Sequence, residues 1–161
     1  MGCLTRRIMK NYLLMTIFTA AVFLGSVQTA SACSCELPRM GESLKTQVRN
    51  SKKDAKAIFT GKVVSIRLSE EKIDGKPVAL YARFAVERSW KGPQTESIEV
   101  RTANICCICG FAFESDKEYI VYSYSTDANV VSVSSCSRTS EIVGKSPDEK
   151  YLGKARKSKK S

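Results

Sequence analysis

From Ala57 onward the chain alternates apolar and polar positions with a period of two, the pattern of half-buried strands. In the first such run Ile58, Val64, Ile66 and Leu68 fall on one face and Phe59 and Val63 on the other, which predicts a long strand over 57–68. Gly61 within it marks a bend or bulge. Asp74-Gly75 predicts a tight turn into a second long strand, 78–90, where Val78, Leu80, Ala82, Phe84 and Val86 alternate with Tyr81, Arg83 and Glu87. Gly92-Pro93 ends it. Three shorter strands are predicted at 97–102, 118–125 and 130–134, the last two separated by a turn at Asp127-Ala128-Asn129. Before this series, in 40–53, Leu44 and Val48 stand four apart amid polar residues, which predicts one exposed helix with a narrow apolar stripe. After it, Ser146-Pro147-Asp148-Glu149 reads as an N-cap, a first-turn proline and a capping-box Glu. A helix should therefore run from Pro147 into the C-terminal segment.

Five strands in series, two long and three short, with flanking helices predict an all-β fold. A closed five-stranded antiparallel barrel of the OB type fits the strand count and removes the exposed sheet edges. A β-sandwich is the alternative, but it wants about seven strands. At 161 residues with 43% hydrophobic content, the chain suits one domain and shows no internal repeat.

The first 32 residues read as a secretory signal. Arg6, Arg7 and Lys10 charge its start, Tyr12 to Leu24 is an apolar run of 13 residues, and Ala30-Ser31-Ala32 supplies small residues before Cys33. A membrane anchor is the rival reading, yet a spanning helix needs about 20 apolar residues. A lipid-anchored envelope protein is another alternative, because a cysteine follows the small residues. Cleavage before Cys33 places the mature protein in the extracellular or periplasmic space.

Discarding the leader leaves a net charge of +7, of which +6 lies in a basic tail, 150–161, so the body at 33–149 is close to neutral. Lys154, Arg156, Lys157, Lys159 and Lys160 of that tail suit an anionic polymer or a membrane surface. A solvated, fraying terminus is the plainer reading. No basic face on the body argues for nucleic acid. The chain has no histidine, which excludes Ser-His-Asp and Cys-His nucleophile systems and any His-ligated metal centre. The expectation is a protein that is not an enzyme and carries neither a cofactor nor a metal of its own.

Removing the leader also removes Cys3, leaving Cys33, Cys35, Cys106, Cys107, Cys109 and Cys136, an even set that suits an exported, disulfide-stapled domain. Cys33 and Cys35 sit two apart, so in an extended segment their side chains face the same way. Bridges from there to the barrel would each contribute about 4 kcal/mol in the chain-entropy account. Three readings stay open at this point. Cys106-Cys107-Ile108-Cys109 contains a C-x-x-C, but the strand-helix context of a redox motif is absent. A thiolate zinc site is compatible with the cysteine number and disfavoured by export. Structural staples alone are the third reading.

Cys33-Ser34-Cys35 directly after a cleavage site resembles the start of the tissue inhibitors of metalloproteinases, and more broadly of netrin-like modules. Further matching pieces follow in order: 57–64, 84–92, Cys109-Gly110 with Phe113, 119–122 and 135–139. The resemblance is to a single-domain, bacterial-type member, and it implies an OB-type barrel with Cys33 paired to Cys109 and Cys35 to Cys136. Cys106 and Cys107 are then left over. The opening departs from the animal inhibitors at Glu36-Leu37-Pro38-Arg39-Met40, and their second, cysteine-rich domain is missing.

The resemblance also implies an activity. The α-amine and carbonyl oxygen of Cys33 would chelate the catalytic zinc of a target metalloendopeptidase at the position that such a metal keeps open. Ser34, Cys35, Glu36 and Leu37 would enter the cleft, with Cys107 and Ile108 as a second contact ridge. The alternative is a non-inhibitory netrin-like adhesion or scaffolding module. An acylated amine on Cys33 could not chelate, so lipid anchoring and inhibition exclude one another.

Overall fold

The computed structural model describes residues 34–36, 39–92, 94–105, 108–127 and 130–157, all within the unit Cys33–Ser161. The expected leader, and the expected roles of Cys33, Leu37, Cys106, Cys107, Lys159 and Lys160, lie outside them.

Helix α1 (Leu44–Asp54) begins where the Ser43 hydroxyl accepts the backbone N–H of Thr46 at 3.3 Å, and Lys52 and Lys53 in its last turn suit the negative end of the helix dipole. It starts later than the expected residue 40, and Met40 is fully exposed. The stripe is the expected one: Val48 is buried and Leu44 packs beside it.

The strands follow as β1 (Ala57–Leu68), β2 (Lys72–Ile73), β3 (Lys76–Pro77), β4 (Ala79–Lys91), β5 (Ser97–Ala103), β6 (Glu118–Ser123), β7 (Ser125–Asp127), β8 (Val130–Ser132) and β9 (Ser140–Glu141). A one-turn helix α2 (Glu149–Leu152) and a short strand β10 (Arg156–Lys157) close the described chain. The main sheet runs β7-β8-β5-β4-β1-β6-β9, with β10 on the edge of β4, while β2 and β3 form a separate ribbon. Asp74 and Gly75, at φ 50° and 75°, turn that ribbon back on itself as a primed hairpin turn requires.

The protein is therefore mostly β-sheet with short flanking helices, and the five expected strands are present. The closed, wholly antiparallel barrel is not. The sheet is open and mixed, because β5 and β8 pair in parallel, Glu99 opposite Val130. Between them in sequence lie β6 and β7, and the antiparallel pairing of β8 with β7 sets it alongside β5 in the same direction. Tyr124, 54% exposed, interrupts the run 118–127, so β6 pairs with β1 whereas β7 pairs with β8.

The expected faces of β1 are also corrected. Register shifts at Thr60/Gly61 and between Val63 and Ser65 change which side chains point inward. Phe59, Val63 and Ile66 join one core, Ile58 joins another, and Val64 and Leu68 are exposed. Gly61 occupies the bulge because any Cβ there would strike the Ala85 carbonyl. Inside the sheet Phe84 meets Phe59, Phe113 and Tyr119 edge-on, with centroids 5.2–6.1 Å apart. On the other side of β1, Val48 of α1 and Leu152 of α2 pack in one cluster with Ile58, Ile120 and Tyr122.

The expected C-terminal helix is a third correction. It lasts one turn, its N-cap is Asp148 rather than Ser146, and Gly153 at φ 83° stops it. The chain then returns as β10, setting Arg156 opposite Ser89 and Lys157 opposite Arg88. The expected fraying tail is thus docked as far as Lys157.

Candidate functional site

Cys35 is bonded to Cys136, with Cα atoms 5.1 Å apart across a sequence separation of 101 residues. Ser34 and Glu36 flank this anchor and are exposed, while Cys35 is half-buried. The Cys136 side of the bridge sits in a tight turn: the Ser137 N–H donates to the Ser134 carbonyl at 3.0 Å, and the Ser137 hydroxyl donates to the same carbonyl at 2.7 Å. One residue before Cys136, the N–H of Ser135 donates to the Cys109 carbonyl at 2.9 Å. Cys109 is itself disulfide-bonded, and Ile108 beside it is 55% exposed. Residues 34–36 and 108–109 are thus tied to one turn, and their side chains Ser34, Glu36 and Ile108 remain accessible.

Local sequence explains why the 108–111 segment holds its place. The Gly110 N–H turns back to the Ile108 carbonyl at 2.6 Å, and the Phe111 N–H donates to the Thr102 hydroxyl at 2.7 Å. Gly110 lies so close to the end of β5 that a Cβ would overlap the Ala103 carbonyl. Phe111 then packs against Phe113 and Tyr119, rooting the segment in the core.

The turn carrying Cys136 is fixed by a buried polar network. Arg138 reaches Asp148 with Nε at 2.5 Å and Nη2 at 2.8 Å, and Gln47 of α1 with Nη1 at 3.1 Å. Tyr122 of β6 donates its hydroxyl to the same Asp148 carboxylate at 2.8 Å, and its N–H to the Thr139 hydroxyl at 3.0 Å. Asp148 is 4% exposed, so its charge depends on these partners. Burial, and then the hydrogen bond to Asp148, push the Tyr122 phenol well above its ordinary pKa. The same carboxylate raises the Arg138 guanidinium. In the sequence Arg138 and Tyr122 stand out only within the matching pieces 135–139 and 119–122, and Asp148 only as part of a helix-start pattern. The one signal in the sequence is an acid between Pro147 and Glu149 in a helix-start pattern.

A groove of about 610 Å³ beside the anchor is lined by charges of both signs: Glu36, Glu42 and Asp54 against Arg39, Lys53 and Arg138. The flank of the anchor is therefore polar. Among the described residues no group of three or more Cys, Asp or Glu side chains could hold a metal ion, and no helix is long and apolar enough to cross a membrane. Of the expected contact residues, the structure brings Ser34, Cys35 and Glu36 to the same turn as Ile108. Of the expected tail cations, Arg156 and Lys157 lie along β4, and Lys154 is exposed between α2 and β10. No protein-family model matches the chain, and no curated protein matches it either.

Proposed function

We propose that this protein is an exported inhibitor of zinc metalloendopeptidases, built on an OB-type module like that of the tissue inhibitors of metalloproteinases. The observation that carries the reading is the joint anchoring of residues 34–36 and the 108–109 ridge to the Cys136 turn. Pre-organisation of this kind lowers the ordering cost of docking a short segment into a cleft. The finer fold reading rests on strand count: the five expected strands lie together in one sheet.

In this mechanism Cys33 is the first residue of the secreted chain. Its α-amine, with an ordinary pKa of about 8, binds the target's zinc in the neutral form, and its own carbonyl supplies the adjacent ligand. Ser34 is small enough to enter the pocket beside the metal, and the bridge from Cys35 keeps the pair from swinging away. Glu36, Leu37, Cys107 and Ile108 contact the cleft walls. The protein contributes ligands and shape, and the metal belongs to the protease.

The test is titration of a panel of zinc endopeptidases with the exported protein, after intact-mass and N-terminal analysis. The expected result is a free Cys33 amine and stoichiometric inhibition of at least one member. A lipid adduct on Cys33, or no inhibition across the panel, removes the reading and leaves a scaffolding module.

A further inference from the structure

A groove of about 630 Å³ lies between β4 and the α2 region, and none of residues 34–36 or 108–109 lines it. Its walls combine ring faces with cations: Trp90, Pro147 and Tyr151 beside Arg88, Lys145 and Lys150. Glu149 is the acid among the described lining residues, and Arg88 grips both of its carboxylate oxygens at 2.6 Å. That pair is internally neutral, which leaves the lysines as the field of the groove. The Trp90 indole N–H is also occupied, donating to the Gly153 carbonyl at 3.0 Å, so the ring is held in place as a surface. The Lys150 ammonium stands 5.7 Å from the centroid of the Tyr151 ring.

The C-terminal segment extends this surface. Lys154 lies between two lining residues, Gly153 and Ala155, and is exposed along with Lys145 and Lys150. β10 then fixes Arg156 and Lys157 next to Ser89 and Arg88 of β4. Cations on a paired strand lose less conformational freedom on binding than cations on a loose tail. A row of fixed positive charges beside half-buried aromatic rings matches a ligand that repeats its negative charges and offers apolar ring faces between them.

We propose that this groove binds a polyanionic polysaccharide, with carboxylate or sulfate groups against Lys145, Lys150 and Lys154 and a sugar face against Trp90 or Tyr151. A lipid surface is the competing partner. It would use an exposed apolar side chain, and Val143, 87% exposed two residues before Lys145, is the one at hand. The recessed position of the rings favours the polysaccharide.

The experiment measures equilibrium binding of the protein to heparin, polygalacturonate and neutral dextran, and to vesicles of phosphatidylglycerol and phosphatidylcholine, at low and physiological salt. Expected are binding to one or both polyanions, weakening with salt, and none to dextran. Heparin alone assigns the sulfate, polygalacturonate alone the carboxylate. The double substitution K145A/K150A should weaken polyanion binding about tenfold with an unchanged melting temperature. Truncation after Lys157 should change it by no more than about twofold. Absence of polyanion binding, indifference to K145A/K150A, loss of all binding on truncation, or binding to vesicles alone would each overturn the proposal. Protease inhibition is read separately, so failure here leaves the inhibitory reading intact.

Discussion

The carbonyl of Cys109 accepts the backbone N–H of Ser135 at 2.9 Å, one residue ahead of the cysteine that anchors Cys35. Two segments far apart in sequence, the start of the described chain and the 108–111 turn, thereby share one foundation. Whatever displaces the 134–137 turn displaces both.

The first prediction concerns the bridge. Replacing Cys35 and Cys136 together by alanine opens a loop spanning 101 residues, which should lower stability by about 4 kcal/mol in the chain-entropy account. Urea unfolding of the two proteins checks this. A loss below about 1 kcal/mol would mean that the remaining contacts already restrain residues 34–36.

Gly110 gives a second, sharper test. An alanine there meets the Ala103 carbonyl, and relieving such an overlap costs about 1–3 kcal/mol. Because the shift moves Cys109 away from Ser135, inhibition should fall further than stability does. Thermal melts and protease titration of Gly110→Ala are compared with those of Gly144→Ala, whose Cβ meets nothing but whose φ of 79° makes alanine costly, so that it lowers stability without touching the Cys109 turn. Equal behaviour of the two variants would sink the proposed positioning role of Gly110.

Asp148 holds the turn from beneath. Asp148→Asn keeps the shape and removes the charge that Arg138 and Tyr122 share, leaving a half-buried guanidinium without its counter-ion. Breaking a buried pair in this way costs about 3 kcal/mol. Chemical denaturation should show that loss, whereas a change under about 1 kcal/mol would show that water replaces the carboxylate.

Tyr122 carries a pH signature. Its phenol is raised in the folded protein, so below its ordinary pKa of about 10 its contribution to stability is fully present. Above that pH the unfolded chain releases the proton and the folded chain retains it, so stability falls as pH rises. Tyr122→Phe should be less stable at neutral pH and show a shallower alkaline decline from about pH 10 upward. Ultraviolet absorbance should find one tyrosinate missing until the protein unfolds. Normal ionisation of Tyr122 in the native state would contradict the network.

Much of this architecture was legible because it is local. The alternation in 78–90, the Asp74-Gly75 turn, the Leu44/Val48 stripe and the bulge at Gly61 each depend on neighbouring residues, and each is present. What failed was long-range. A bulge near Val63 reassigns Val64 and Ile66 between faces without any warning from periodicity. The parallel pairing of β5 with β8 depends on where the intervening strands β6 and β7 are placed. Ser146-Pro147-Asp148-Glu149 has the letters of a capping box, yet Asp148 is recruited by Arg138 and Tyr122, and Gly153 ends the helix after one turn. The docking of the basic tail is not visible locally because its partner strand, β4, lies more than sixty residues earlier. The site was legible in part for the same reason: Cys35 and Cys136 stand out as letters, whereas the network that steadies them is assembled from four separate elements.

The central claim is that a free Cys33 leads the mature chain into a protease cleft, and one added residue tests it most directly. Inserting a single alanine before Cys33 leaves the bridge, the Cys136 turn and the Arg138 network untouched, while separating the α-amine from the carbonyl with which it would chelate. The account predicts that the inhibition constant against a susceptible metalloprotease rises by about a hundredfold or more, equivalent to some 3 kcal/mol, with an unchanged melting temperature. Equal inhibition by the extended and the parent protein would contradict it.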